Sequence, residues 1–92
     1  MTNDPEHALI DRILSGEDSL YADLVNRYKS YVFTIVWKVL QARGEAEEAA
    51  QDAFIKAFHG LKGFNRQSKF STWLYRIAFN TAITYKRRNR QQ

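Results

Sequence analysis

Leu20, Leu24, Tyr28, Val32, Ile35 and Val39 recur at steps of three and four along the stretch Asp18–Arg43, and Tyr21, Val25, Tyr31, Val36 and Leu40 widen the same stripe. That period belongs to a helix with one buried face. Such a helix is roughly 39 Å long at 1.5 Å per residue, and it is the scaffold for whatever else the chain forms. Tyr28, Tyr31 and Trp37 within it read as core or core edge, although three aromatics at this spacing can also serve as a base-stacking set.

The remaining segments repeat the helical pattern. Asp4 is a natural N-cap and Pro5 a natural first residue for a short helix that Gly16 ends, with Ala8, Leu9, Ile10, Ile13 and Leu14 as its apolar side. Gly44 breaks the long helix, and a third one follows over about Glu45–Lys62, with Glu45, Glu47 and Glu48 in the turn that the helix dipole favours for acids. Its inner face is Ala46, Ala50, Ala53, Phe54, Ala57, Phe58 and Leu61. Its other stripe, Glu48, Gln51, Asp52, Ile55 and His59, sets an isoleucine among polar residues, which fits either a solvated acidic face or a partner-binding one. The fold class is therefore all-α, a single small domain of four helices over residues 1–92.

A fourth helix is predicted from Ser71 to Arg90, with Ser71 as N-cap and Phe70 stapled onto Tyr75. Leu74, Ile77, Ala78, Thr81, Ala82 and Tyr85 share its apolar face. The opposite face gathers Trp73, Arg76, Asn80, Thr84 and Arg87: a stacking ring, an amide able to read a base edge, and cations for phosphates. Lys86, Arg88 and Arg90 extend the basic end. The loop in front, Gly63–Ser68, carries Phe64, Asn65, Arg66 and Ser68, with Lys69 next. Phe64 can face a ligand or tuck under the third helix as an apolar cap contact.

Charge supports a polyanionic partner. Residues 1–60 hold all ten acidic residues against six Lys and Arg, whereas residues 61–92 hold eight Lys and Arg and no acid. A one-signed third of the chain, interleaved with aromatics, points to nucleic acid rather than to a basic tail that only aids solubility. Ninety-two residues with 45% hydrophobic content should bury roughly 60–65% of the unfolded surface. There is no cysteine, and His7 and His59 alone make no metal site. The amino terminus has acids where an export signal needs bases, and Tyr31–Leu40 is interrupted by Thr34 and Lys38, so a cytoplasmic protein without membrane insertion is expected. No catalytic dyad is visible, and neither an enzyme nor a cofactor is expected.

At Glu47-Glu-Ala-Ala-Gln-Asp-Ala-Phe-Ile-Lys-Ala-Phe58, Gly63-Phe64 and Phe70-Ser-Thr-Trp-Leu-Tyr-Arg-Ile-Ala-Phe-Asn80, the chain resembles region 2 of bacterial sigma factors of the extracytoplasmic-function group. The likeness reaches back through Leu20-Tyr-Ala-Asp-Leu-Val-Asn-Arg-Tyr28 to Val39. It implies a compact four-helix bundle that docks on the clamp helices of the RNA polymerase β′ subunit and opens the promoter −10 element. It implies that the helix bearing Gln51 and Asp52, with Glu48, Ile55 and His59, is the polymerase face. It implies further that Phe64–Ser71 captures a base flipped from the non-template strand, that Asn80 stands beside that pocket, and that Arg76 and the basic end lie near the DNA backbone. An anti-sigma protein is the implied regulator.

Complete family members continue into a second helical domain that reads the −35 element, and the chain stops at Gln92. The expectation is an excised domain or a truncated relative with incomplete promoter selectivity. Two other readings stay open: a helical adaptor that binds only protein, and a nonspecific single-strand binder. Asn80 likewise has two readings, a direct base reader or a local cap on a loop carbonyl.

Overall fold

The computed structural model describes residues 4–90; Asn3 and Gln92 lie outside them, as does the side chain of Arg90. Asp4 caps the first helix, α1 (Pro5–Leu14), through a hydrogen bond from Glu6 N–H to its Oδ1 at 3.0 Å, with Pro5 at the first position. Gly16, at φ +122°, turns the chain away in a conformation that costs a side-chain-bearing residue dearly. The long second segment is divided. Asp18–Leu20 form a 3₁₀ turn, and α2 runs from Tyr21 to Leu40, a length of roughly 30 Å.

The break after α2 corrects the expectation that Gly44 makes it. Gln41 takes the left-handed conformation at φ 53° and donates its N–H to Trp37 O at 2.8 Å, closing the helix in the way glycine usually does. Gly44 already belongs to α3 (Arg43–Gly60). A 3₁₀ turn, Leu61–Gly63, then leads into the loop before α4 (Phe70–Arg90).

α2, α3 and α4 pack on one another in all three pairs, with α1 laid across one end. Ala46, Ala49, Ala53 and Ala57 are fully buried, so α3 approaches its neighbours through methyl groups while Leu24, Val32, Val36, Leu74, Ala78 and Ala82 fill the space between. The inner face of α3 is rotated slightly from the sequence reading. Ala49 replaces Ala50 at its centre, and Phe58 reaches the surface, where its ring lies 4.9 Å from that of Tyr21. Tyr21 donates its hydroxyl to Phe54 O, stitching α2 to α3, and burial pushes its pKa up to about 12.

Thr81 is the buried polar residue in the core, and its own hydroxyl is satisfied by donating to Ile77 O at 2.6 Å. Among the described residues no helix is long and apolar enough to cross a membrane, and no group of acids and histidines could hold a metal ion.

Candidate nucleic-acid interface and partner face

Two aromatics of the segment expected to capture a base are core residues. Phe64 is 4% exposed and Phe70 1% exposed. Phe64 sits 5.0 Å from Trp73 and 6.2 Å from Phe70, and Phe70 meets Tyr28 edge-on at 5.4 Å. Neither can offer a face to a nucleotide. The mainly apolar ring cluster under the loop is what holds them, and of the two readings of Phe64 the tucked one is correct. Trp73 is half-buried over Phe64 and Phe70, with its edge against Gly60, where an added Cβ would meet the indole at 3.6 Å.

The start of α4 is also corrected. The helix begins at Phe70, whose N–H donates to Asp4 Oδ2 at 3.3 Å, while Thr72 and Trp73 donate to Lys69 O. Ser71 is thus inside the first turn rather than the cap, and one aspartate caps two helices. Phe70 does not staple onto Tyr75. Tyr75 instead stacks on Phe79 at 6.0 Å and an interplanar angle of 6°, both exposed on the outer side of α4. Tyr31, also exposed, donates to Ser71 O at 3.1 Å. For Tyr75 and Phe79 the sequence signal is an i, i+4 aromatic pair lying off the apolar stripe.

Within the loop, Asn65 Oδ1 accepts from Gln67 N–H at 3.0 Å, and Ser68 donates to Lys69 O at 3.2 Å. Arg66 stands at φ 62°, and its guanidinium forms an ion pair with Asp11 at 2.5 Å. That pair ties the loop to α1. Lys69 is exposed.

The outer face of α4 agrees better with its sequence reading. Arg76, Asn80 and Arg87 are exposed and Thr84 is half-buried, its hydroxyl donating to Asn80 O at 3.0 Å. Among the described residues the Asn80 side-chain amide has no hydrogen-bond partner, so it caps no loop carbonyl. It lies roughly 15 Å along the helix axis from Phe70, beside the level where Lys56 Nζ reaches Thr81 Oγ1 at 3.5 Å. Loop and amide therefore address different points of one ridge. Lys86 and Arg88 are exposed beyond it, Arg88 over the Tyr85 ring at 5.7 Å; the Arg90 side chain lies outside the described residues.

On α3 the expected partner stripe splits in two. Gln51 borders a groove of about 660 Å³ between α2 and α3, lined by Val25, Phe33, Ala50 and Phe54. Ile55, 54% exposed, and His59 open on a neighbouring hollow with Tyr21 and Phe58. Asp52 turns the other way. Half-buried, it accepts the Tyr85 hydroxyl at 2.8 Å, and burial together with that bond and the nearby Glu48 holds the Tyr85 pKa up at about 12.

Residues 24–92 match the family described as sigma-70 region 2. The chain belongs to that family, as a region 2 domain of the extracytoplasmic-function group. It is 40% identical over 74 residues to the ECF RNA polymerase sigma factor SigW of Bacillus subtilis (strain 168), covering 80% of this chain and 40% of that protein. It is 39% identical over 80 residues to the ECF RNA polymerase sigma-E factor of Escherichia coli (strain K12), covering 87% of this chain and 41% of that protein. The chain thus spans about two fifths of the length of the curated relatives it matches. Among solved structures it is similar to an engineered region 2 of sigmaE determined by NMR in complex with GTAAAA, with a TM-score of 0.81, 38% identity, and coverage of 92% of this chain and 90% of that one.

Proposed function

We propose that this domain recognises a promoter −10 element as single strand, holding one non-template base flipped against the 64–71 loop and reading another with Asn80, while its α2–α3 face docks on the β′ clamp helices of RNA polymerase. Support for the DNA half comes from the exposed, unpartnered Asn80 amide on a ridge flanked by Arg76 and Arg87, and from similarity to a region 2 that binds GTAAAA. An amide offers one acceptor and two donors, and a base out of the stack has the complementary groups free. Opening and flipping cost a few kcal/mol, which stacking at roughly 1–3 kcal/mol per base and salt-sensitive phosphate contacts can offset. Binding only the open strand shifts the duplex toward melting without any bond being broken. With Phe64 and Phe70 buried, the exposed rings left for stacking on α4 are Tyr75 and Phe79.

The deciding experiment measures affinity for a single-stranded GTAAAA oligodeoxynucleotide and for variants changed one base at a time. Asn80→Ala is expected to remove about 1–3 kcal/mol of discrimination at one base and to leave the melting temperature where it was. Equal weakening for every oligonucleotide would sink the reading.

The partner half rests on Gln51, Ile55 and His59 facing open apolar grooves. Gln51→Ala and Ile55→Ala are expected to weaken capture by a β′ clamp fragment, with stability changed by less than about 0.5 kcal/mol. Asp52→Ala should lower stability instead, because it orphans the Tyr85 hydroxyl at a cost of about 1 kcal/mol. Capture by the Gln51 and Ile55 variants equal to that of the parent removes this face from the interface. Regulation by an anti-sigma protein on the same grooves belongs to this proposal.

A further inference from the structure

The loop between α3 and α4 does not take its shape from its own sequence. Arg66 occupies the left-handed region, φ 62°, which arginine rarely adopts and which persists only where the surroundings impose it. Asn65 supplies one local bond, to Gln67 N–H. Ser68 supplies another, to Lys69 O, and α1 adds contacts along the whole loop. Asp11 pairs with Arg66 at 2.5 Å, His7 meets the Phe64 ring edge-on at 5.6 Å, and Asp4 accepts from Phe70 N–H at 3.3 Å. Positions 4, 7 and 11 fall on one side of a helix. They meet the end, the beginning and the middle of the loop respectively.

α1 is itself fixed. Tyr28 of α2 donates its hydroxyl to Glu6 at 2.5 Å, and Arg27 stands 3.6 Å from the same carboxylate. Burial, followed by that bond, raises the Tyr28 pKa, so the phenol stays protonated and donating through the range in which proteins work. α2 thus carries α1, and α1 carries the loop. α1 also precedes the residues that match the family, which begin at residue 24.

We propose that α1 is the template of the recognition loop, and that Asp11 and Asp4 are positioning residues that set its base discrimination without touching DNA. The inference rests on the reading of the loop given above. A loop free to leave its left-handed turn presents Lys69, Ser68 and the Asn65 edge in many arrangements. It can still attract a strand, but it distinguishes bases less well.

Asp11→Lys and Arg66→Asp are the test substitutions, because Asp11 is exposed and Arg66 lies partly open, so the core is left alone. With GTAAAA and its single-base variants, each substitution is expected to cut the discrimination ratio about threefold to fivefold, the size of one partly exposed ion pair. The exchanged pair Asp11→Arg with Arg66→Asp should restore it, and the slope of affinity against salt should not move. Single variants that discriminate as the parent does overturn the inference while leaving the reading of the loop standing. So does a uniform loss across all oligonucleotides with a lowered melting temperature, which marks a merely structural contact, and so does an exchanged pair that fails to restore the ratio. A parent that binds every variant alike overturns the reading of the loop and this inference with it.

Discussion

Replacing Phe70 with alanine is expected to unfold a large fraction of the domain, and any loss of DNA binding should follow from that. The ring is 1% exposed and is surrounded by Tyr28, Phe64 and Trp73 at centroid distances of 5.4, 6.2 and 5.8 Å. It joins α2, the loop and α4, so no single neighbour can collapse into the space it leaves. Truncating a buried phenylalanine costs about 3–5 kcal/mol, against a total of about 5–15 kcal/mol for an ordinary domain. At this size the total should lie near the lower end. Urea denaturation followed by circular dichroism measures the change directly. A variant that melts with the parent yet fails to bind GTAAAA would return Phe70 to the DNA contacts, where the sequence alone had placed it.

Phe64 and Phe70 show why part of the site could not be read in advance. An aromatic beside glycine in a basic loop looks the same whether it faces a base or an interior, and the deciding neighbours, His7 and Tyr28, are far away in the chain. Ser71 failed as a cap for a similar reason. Local pattern finds the nearest hydroxyl, while the carboxylate that caps α4 belongs to Asp4, 66 positions earlier. Left-handed turns at Gln41 and Arg66 gave no glycine to mark them, and the Asp52 to Tyr85 bond depends on the rotation of α3 against α4. What was legible had a short period. The stripe Leu74, Ala78, Thr81 and Ala82 is buried as spaced, Asp4 and Pro5 open α1, and Arg76, Asn80 and Arg87 are exposed together on α4. Contacts within one or two helical turns are set by the chain's own repeat, whereas contacts between elements need the packing first.

The basic end is expected to govern how strongly the domain holds DNA, with no part in the choice of base. Lys86, Arg87 and Arg88 are exposed in the last described turns of α4, past Asn80 and clear of the loop. From there they can neutralise phosphates as the strand leaves the ridge. Each phosphate neutralised on a single strand contributes about 0.7 to the slope of log affinity against log salt, so changing all three residues to glutamine should flatten that slope by about 2. Over a fourfold change in salt this amounts to a roughly twentyfold difference in how fast binding is lost. The three should not contribute equally. Arg88 lies over the Tyr85 ring, and Tyr85 is tied to Asp52, so moving to a phosphate costs Arg88 a cation–π contact of about 0.5–1 kcal/mol. Among the described residues Lys86 and Arg87 bear no such tether, and the pair Lys86→Gln with Arg87→Gln should account for most of the change. The ratio of affinities for GTAAAA and its single-base variants should stay as in the parent at every salt concentration, since even Lys86, the first of the three, lies roughly 9 Å of helix past Asn80. An unaltered slope in the triple variant would move the phosphate contacts elsewhere on the surface, and a collapsed ratio would make the basic end a reader of bases after all.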